Sequence, residues 1–443
     1  MSLQYLIIGN GAAGVSAAEA IRAADPAGRI TIVTAEPYNM YSRPGLAYVL
    51  TGAIPPEQTI ARSDDWYDSR DIQLKIGRVV RLHAATQHVV LEDGTNLSYD
   101  KLLIASGARA TAPPYPGADL NGVVYLDTMD GTKEILKLAR KWGRAVVIGG
   151  GITALEMCEG LAARGMEVHY FLRRERLWDR VFNESEGELL AEKMKHHGII
   201  IHHNTEISTI NGNWRGRVRS VTLQDGSEFK CSLLGVAIGV RPQLDFLIGS
   251  ALKTDRGILV NEHMQTNVPN IFAAGDVAQV YDRWSGSHQL DVLWPSAVAE
   301  GRIAGRNMVG AMKAYEKGTP FNVCLLFGLH VTAIGQVHPE WQSEEPVQHL
   351  SRGSSEVWFT FPRQYRSAWS RKGDASLRLV ADQGRLVGAL LIGERSFADV
   401  LRGLISEEVD IRPVQPYFEA DRDMLMAKLT ELWQKHERHK SWP

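Results

Sequence analysis

The chain carries one glycine-rich pattern twice. An apolar run, a glycine-rich turn, an alanine-rich stretch with helical periodicity and a second apolar run follow one another in residues 5–36 and again in residues 144–172. Strands that alternate with helices in this way form parallel sheets with helices on their faces. The sequence therefore predicts an α/β chain with two Rossmann-like units, and its 443 residues suffice for two or three domains.

The glycine spacing in the first copy indicates a dinucleotide site. Gly9, Gly11 and Gly14 stand in G-x-G-x-x-G order between the strand and the helix. Such glycines allow a tight turn, the approach of a pyrophosphate to the backbone and close packing of helix on strand, while the helix N-terminus offers N–H groups. Glu36, just past the second strand, is the candidate acceptor for a ribose hydroxyl.

The second copy repeats this spacing with Gly149, Gly151 and Ala154, since alanine is allowed in third place. Two such units predict two different nucleotides, one bound permanently and one exchanged. A duplication with one inactive site is the alternative.

The end of the second unit bears on the choice of nucleotide. Leu172 stands where an acidic ribose ligand is expected, and Arg173, Arg174 and Arg176 follow it. Arginines can bind a 2'-phosphate with two hydrogen bonds, which favours NADPH. Glu175 lies among them, so NADH stays open.

Two further segments have the features of cofactor contacts. In TNVPNIFAAGDVA an apolar run ends at Gly275 and Asp276, a turn that can present a carboxylate to a polyol. In WPSAVAEG, Pro295 suits the first turn of a helix whose N–H groups near Ser296 and Ala297 can bind an anion. An ordinary capped helix is the alternative for this second segment.

From residue 321 onward the alternation of strand and helix stops. The runs EVWFTFP, SLRLVADQG and GRLVGALLIG are typical of antiparallel strands joined by tight turns, so a smaller α+β domain is expected. The last stretch places Leu425, Leu429, Leu432 and Trp433 on one helical face.

As a set, GNGAAG, IASGARA, GGGITALE, VAIGVRP and IFAAGDVA resemble the FAD-dependent pyridine nucleotide-disulfide oxidoreductase superfamily, over roughly residues 1–400. The segments MYSRPGLAYVLTG, WPSAVAEGRIAGRNMVG and LFGLHVTAIG are similar to its rubredoxin, ferredoxin and nitrite reductase branch. The predicted organisation is a glutathione reductase-type pair of domains with a C-terminal addition. FAD is expected on residues 1–112 and 243–320, NAD(P)H on 113–242, the α+β domain at 321–415 and a helical tail at 416–443.

The resemblance implies FAD and NADH or NADPH as cofactors and a set of residues that contact them. For FAD these are Gly9, Gly11, Ala13, Gly14, Glu36, Arg43, Pro44, Ala105, Ser106, Gly107, Gly275, Asp276, Pro295, Ser296 and Ala297; for NAD(P)H they are Gly149, Gly151, Ile152, Ala154, Glu156, Arg173, Arg174 and Gly239.

Two of these residues are implied to be catalytic. The resemblance puts Glu156 near the flavin N5, where the nicotinamide docks, and relatives pair this glutamate with a basic side chain. Arg43 is the best local candidate for that partner. This chain departs from the ferredoxin reductase pattern here, because the lysine of that pattern falls near Tyr48.

The cysteines argue against thiol chemistry. Cys158, Cys231 and Cys324 are too widely spaced for a disulfide framework, a zinc site or a C-x-x-C motif. Pro44-Gly45-Leu46 stands where the resemblance implies Cys-Gly-Leu in thiol-dependent relatives. Electrons are then expected to leave from the flavin, singly to a rubredoxin- or ferredoxin-like carrier, or in pairs to a quinone, oxygen or another small acceptor.

Two other functions remain possible at this stage. One is a redox-responsive FAD- and NAD-binding protein whose partner affinity changes on reduction and whose turnover is incidental. The other is a CoA-disulfide or polysulfide reductase, which needs a reactive thiol.

Charge and hydropathy limit the partners. With 49 Lys and Arg against 51 Asp and Glu, the net charge of -2 gives no global attraction for nucleic acid or an anionic membrane, although local patches stay possible. The first residues lack a basic region and no long apolar run follows, so we expect a cytoplasmic protein without a membrane span. A homodimer is left open, and no metal site is expected.

One local patch is a candidate docking site. Basic and aromatic side chains alternate there, so a small acidic electron carrier is a possible partner, although a solvated strand face is the more common meaning. The patch consists of Arg363, Tyr365, Arg366, Trp369, Arg371 and Lys372.

Overall fold

The N-terminal part of the chain forms a parallel unit with a small antiparallel insertion. The structure is a computed structural model that describes residues 2–337, 350–359 and 365–440. Its elements up to residue 112 are β1 (Gln4–Ile8), α1 (Ala12–Ala24), β2 (Arg29–Thr34), α2 (Gly45–Thr51), α3 (Asp64–Asp68), β3 (Ile72–Ile76), β4 (Val79–His83), β5 (His88–Leu91), β6 (Asn96–Ser98), β7 (Lys101–Ile104) and β8 (Ala108–Ala110).

The middle of the chain repeats the arrangement. Its elements are β9 (Val123–Val124), α4 (Met129–Leu138), β10 (Arg144–Ile148), α5 (Ile152–Ala163), β11 (Glu167–Phe171), α6 (Glu184–His196), β12 (Ile200–His202), β13 (Ile207–Gly212), β14 (Val218–Leu223), β15 (Glu228–Lys230), β16 (Leu233–Val236) and β17 (Val240–Pro242). The parallel sheet has the order β12-β11-β10-β16-β9, and β13, β14 and β15 form a separate antiparallel sheet.

The chain then returns to the first unit and completes it. It adds β18 (Ile258–Leu259), β19 (Ile271–Ala273), β20 (Ala278–Asp282), β21 (Ser287–Gln289) and α7 (Trp294–Met308). The first parallel sheet therefore has the order β19-β7-β1-β2-β3. Both glycine-rich turns connect a central strand of a parallel sheet to a helix, as the sequence predicts.

Helix α7 lies directly against α1, and glycines make this contact possible. A Cβ at Gly301 would stand 2.1 Å from the carbonyl oxygen of Ala13, and one at Gly305 would stand 2.5 Å from that of Ala17. The two backbones therefore touch, which holds the N-terminus of α7 beside the glycine-rich turn that begins α1.

The C-terminal elements form one antiparallel sheet backed by helices. They are β22 (Phe321–Leu326), β23 (Leu329–Gly335), β24 (Tyr365–Lys372), β25 (Ala375–Asp382), β26 (Arg385–Ile392), α8 (Ala398–Ser406) and α9 (Arg422–Lys440), and the strand order is β22-β23-β26-β25-β24. Buried side chains of β22, β23 and β26 belong to the same hydrophobic core as those of α2 and α5. The C-terminal sheet is thereby fixed against both nucleotide units.

Two expectations for the C-terminal part have different outcomes. The run EVWFTFP was predicted as a strand, but Glu356–Phe359 is a 3-10 helix with Val357 and Trp358 fully buried, and the rest of the run lies outside the described residues. A short apolar run without alternation does not distinguish a strand from a buried helical turn. The predicted final helix is confirmed as α9, with Leu425 and Leu429 buried against α8. The exact domain limits stay a prediction.

Candidate active site

A cavity of about 430 Å³ opens at the carboxyl ends of β1, β2, β7 and β19. Ligands of parallel α/β sheets bind outside the carboxyl ends of the strands, so this is the expected place for a nucleotide. Most of the residues predicted to contact FAD line it: Gly9, Gly11, Ala13, Glu36, Arg43, Pro44, Ala105, Ser106, Gly107, Gly275, Asp276, Pro295 and Ala297.

The three glycines of the first turn have different surroundings. Gly9 has a φ of +115°, and a Cβ there would stand 2.0 Å from the carbonyl oxygen of Ala105. A Cβ at Gly14 would stand 2.0 Å from the oxygen of Gly9, so Gly14 serves packing and does not line the cavity. A Cβ at Gly11 would meet no protein atom within 4 Å. The backbone is therefore open to the cavity at Gly11, which fits the close approach of a pyrophosphate.

Asp276 follows a glycine that fixes its direction. Gly275 has a φ of +77°, and its N–H donates a 2.7 Å hydrogen bond to the carboxyl of Glu300. Asp276 lines the cavity, and burial raises the pKa of its carboxyl, against which Arg352 and Arg43 act. No sequence motif indicates Glu300, although burial raises the pKa of its carboxyl well above the usual range.

Arg43 is bound to Glu36. The Glu36 carboxylate accepts hydrogen bonds from the Tyr41 hydroxyl at 2.7 Å and from the Arg43 guanidinium. Arg43 also donates to the carbonyl oxygen of Asp127 at 2.7 Å. The sequence-based pairing of Arg43 with Glu156 is therefore not the arrangement in this structure.

The N-terminus of α7 borders the same cavity. Trp294, Pro295 and Ala297 line it, and Pro295 lies in the first turn of the helix, as predicted. Ser296 points elsewhere, because its hydroxyl donates a 3.2 Å hydrogen bond to Asp291.

A second groove, of about 690 Å³, lies at the carboxyl ends of β10, β11 and β16. Its lining includes the predicted residues Gly149, Gly151, Arg173, Arg174 and Gly239, and also Arg176. Ile152 and Ala154 are buried in the first turn of α5, and neither they nor Glu156 are part of this lining.

Gly149 has the role of Gly9. Its φ is +137°, and a Cβ would stand 2.1 Å from the carbonyl oxygen of Ala237. Both turns thus need a residue without a side chain at the strand end, which explains the first glycine of each copy.

Glu156 projects from α5 and is half-buried. Burial raises its pKa to about 8, the nearby Glu159 adds to this, and Arg352 opposes it. Burial raises the pKa of the Tyr48 hydroxyl, and the nearby Cys324 and Glu156 add to this rise. The basic side chain that acts on Glu156 is therefore Arg352.

Arg352 belongs to a segment that lies between the two sites. It lines the first cavity and forms an ion pair with Asp127, while its neighbour Ser351 lines the second groove. The segment is anchored by the Val240 N–H, which donates to the Leu350 carbonyl at 2.8 Å. No motif surrounds Arg352 in the sequence, so nothing in the local pattern indicates its position.

The three cysteines are buried, and burial raises their pKa values: to about 12 for Cys231, and well above the usual range for Cys158 and Cys324. No cysteine among the residues described lines the first cavity, whereas Pro44 does. These thiols are therefore protonated at neutral pH, and none of the three lines the proposed flavin site.

Two of the cations in the predicted docking patch are paired with neighbouring acids. Arg371 pairs with Glu192, and Lys372 pairs with Asp423. Trp369 is 44% exposed, and Arg363 lies outside the described residues. In the described part of the chain, no helix is both long enough and apolar enough to cross a membrane.

Comparisons with known proteins agree with this geometry. Residues 3–301 match the model of the pyridine nucleotide-disulphide oxidoreductase family, and the chain belongs to that family. The chain is an FAD-dependent NAD(P)H oxidoreductase with the fold of that family, and FAD and NAD(P)H are its cofactors.

Similar proteins differ in their named roles. The epsilon subunit of NADH-dependent phenylglyoxylate dehydrogenase from Aromatoleum evansii is 29% identical over 94% of this chain and 95% of its own length. The ferredoxin reductase component of chlorobenzene dioxygenase from Cupriavidus sp. (strain PS12) is 31% identical over 66% of this chain and 71% of its own. The chain spans only 48% of the nitrite reductase of Bacillus subtilis (strain 168).

Among solved structures, the fold is similar to that in the covalent putidaredoxin reductase–putidaredoxin complex. The TM-score is 0.84 at 22% identity, with 98% of this chain and 99% of the other covered.

Proposed function

We propose that this chain transfers electrons from NAD(P)H, bound in the second groove, to FAD, bound in the first cavity, and from there to a small iron–sulfur carrier or another small acceptor. The observation that supports this most is the meeting of the two sites at adjacent residues, since Arg352 lines one and Ser351 the other. When bound, the flavin supplies a hydride acceptor that can release electrons one or two at a time.

The first cavity offers a group for each part of FAD. The open backbone at Gly11 and the N-terminus of α1 suit the pyrophosphate, and Asp276 suits the hydroxyls of the ribityl chain. The N-terminus of α7 places a partial positive charge beside the cavity. A helix dipole stabilises a nearby anion by about 1 kcal/mol, so α7 favours the reduced, anionic ring.

Glu156 is proposed to position the nicotinamide. With a pKa of about 8, its carboxyl holds a proton at neutral pH and can donate a hydrogen bond to an amide oxygen. Hydride transfer needs no general base, so the task of Glu156 and Arg352 is orientation at the boundary of the two sites.

The state and position of the thiols indicate which group passes electrons to the acceptor. Since the buried cysteines are protonated and none in the described part of the chain lines the first cavity, electrons leave from the flavin. The similarity to a ferredoxin reductase component supports a one-electron carrier protein. The patch around Trp369 is a weak docking site for it, because Arg371 and Lys372 are already paired with acids. We propose a cytoplasmic location.

The second groove supports the use of NADPH. Arg173, Arg174 and Arg176 line the groove beyond the second strand of the unit, where a 2'-phosphate would lie. Arg174 also pairs with Asp179 at 3.0 Å, so part of its charge is used internally. Arg173 directly follows Leu172 at the end of the strand and lines the groove, so its replacement tests the choice of nucleotide.

The function is tested by anaerobic stopped-flow reduction of the flavin with NADH and with NADPH, followed by mixing with a rubredoxin, a ferredoxin and a quinone. We expect fast reduction and fast onward transfer to at least one iron–sulfur carrier. A long-lived reduced complex that transfers electrons slowly to every acceptor would point instead to a redox-responsive binding protein. Arg173→Ala should weaken NADPH about 10- to 150-fold, as loss of a charged hydrogen bond predicts, and leave NADH unchanged.

A further inference from the structure

Two tryptophans of the second nucleotide unit lie almost entirely in solvent. Trp142, on the turn between α4 and β10, is 84% exposed, and Trp214, on the turn between β13 and β14, is 86% exposed. Trp369, by comparison, is 44% exposed. Full exposure of an indole loses the hydrophobic stabilisation of its burial, so two such side chains at one end of the unit make that end a candidate binding surface.

Hydrogen bonds place both turns at one end of the unit. The turn that carries Trp214 contacts Asn121, whose N–H donates to the Gly216 carbonyl at 3.0 Å, and residue 121 directly precedes β9. The turn that carries Trp142 directly precedes β10. In the sheet, β9 and β10 are separated only by β16, a spacing of about 10 Å between parallel strands.

This end is the amino edge of the parallel sheet, whereas the NAD(P)H groove lies at the carboxyl edge. A partner bound here would therefore not obstruct the nucleotide. Neither tryptophan has a place in the proposed catalytic machinery.

The surface around the two rings is basic. Lys141 places its Nζ 5.2 Å from the centre of the Trp142 ring, and Arg215 places its Cζ 4.3 Å from that of Trp214. Arg140 and Arg217 are exposed beside them.

No ion pair is recorded for these four cations within the described ranges, whereas the nearby Arg144 and Arg219 are paired with Glu167 and Glu228. We call the set Arg140, Lys141, Trp142, Trp214, Arg215 and Arg217 the tryptophan–cation surface.

We propose that the tryptophan–cation surface binds an anionic lipid surface. Two indoles on separate turns, each beside a cation, match the residues that sit at the headgroup level of a membrane, and four unpaired cations match a polybasic lipid-binding cluster. The overall charge of -2 provides no such attraction, so the attraction to anionic lipid comes from this surface alone.

Two other occupants fit less well. A second copy docked through the same surface by two-fold symmetry would bring the four cations against their own copies. An acidic protein would satisfy the charges, but aromatic anchors of protein interfaces are usually set in packed pockets, whereas both indoles here are isolated on turns.

The test is co-sedimentation of the FAD-loaded protein with vesicles of phosphatidylcholine alone and of phosphatidylcholine with phosphatidylglycerol. We expect binding only to the anionic vesicles and loss of it with added salt. Arg215→Gln together with Arg217→Gln should weaken binding about 25-fold, at about fivefold for each cation. Trp142→Ser with Trp214→Ser should abolish it, while the control Trp369→Ser should bind as the unaltered protein does.

Oxidation of NAD(P)H in solution should be the same in the variants of the tryptophan–cation surface, which separates this proposal from the proposed function. Equal sedimentation with both kinds of vesicle, or full binding by the double tryptophan variant, would overturn the proposal. The proposal would also be overturned if this surface bound an acidic protein, or a second copy of the chain, but did not bind the anionic vesicles.

Discussion

Gly11→Ala gives the sharpest test of the flavin site, because the structure separates its effect on binding from any effect on folding. Gly11 has a φ of -100°, which any residue adopts, and a Cβ there would meet no protein atom within 4 Å. The variant should therefore fold and melt like the unaltered protein. The added methyl group projects from the backbone that is expected to contact the pyrophosphate.

The magnitude follows from the cost of overpacking. One extra methyl group in a filled site costs typically about 1–3 kcal/mol, which corresponds to an FAD affinity about 5- to 150-fold weaker. The assay is a fluorescence titration of FAD into the apoprotein, with circular dichroism to confirm the fold. Gly318→Ala is the matched control, because Gly318 also has open space around its Cβ and an ordinary φ but lies away from the cavity.

Unchanged FAD affinity in Gly11→Ala, with Gly318→Ala also unchanged, would refute the placement of the pyrophosphate at this turn. A loss of folding in Gly11→Ala would refute the statement that a Cβ at this position has open space around it. Gly9→Ala serves as the contrasting case, because its Cβ would stand 2.0 Å from a carbonyl oxygen and should disrupt the turn itself.

Three other substitutions test the remaining parts of the site. Asp276→Ala should weaken FAD about 10- to 150-fold, the cost of a charged hydrogen bond, as measured by the same titration; purification with full yellow colour and native affinity would contradict the assignment. Glu156→Gln should remove a pH dependence of stability. The Glu156 carboxyl keeps its proton up to a pKa of about 8 in the folded state but loses it near pH 4.5 in the unfolded state. The free energy of unfolding of the unaltered protein therefore falls by at most about 3 kcal/mol between pH 4.5 and 7. The melting temperature of the variant relative to the unaltered protein should therefore rise from pH 5 to 8, and the same trend in the exposed-site control Glu92→Gln would count against this. Replacing Cys158, Cys231 and Cys324 together by alanine should leave flavin reduction and acceptor turnover intact; their loss in a folded variant would revive the thiol-dependent alternative.

Local patterns in the sequence predicted the parts of the site that depend on the backbone. Gly9 and Gly149 occupy positive φ with a carbonyl oxygen where a Cβ would be, and only glycine satisfies both conditions. The strand that precedes each turn and the helix that follows it are equally local, so their periodicity is visible in the sequence. The position of Asp276 is also visible in the local sequence, since the glycine before it sets the direction of its side chain.

The parts that depend on long-range contacts were not predictable in this way. The pairing of Arg43 with Glu36 competes with its sequence-based pairing with Glu156, and only the fold decides between them. Arg352 reaches the site from the C-terminal part of the chain, more than 190 residues beyond Glu156, and no spacing rule connects the two. The strand predicted over EVWFTFP is a 3-10 helix over its described part, Glu356–Phe359. Val357 and Trp358 are both fully buried there, so the run lacks the alternation of buried and exposed side chains that identifies a strand.

Arg352 also explains why the two sites can influence each other. Burial raises the pKa of both Glu156 and Asp276, and the charge of Arg352, which is paired with Asp127, opposes that rise at each of them. A change in charge at either carboxyl is therefore felt by the same guanidinium, within reach of both cavities. Because this residue lies on a segment of the C-terminal part, the third domain completes the boundary at which the nicotinamide and the flavin are proposed to meet.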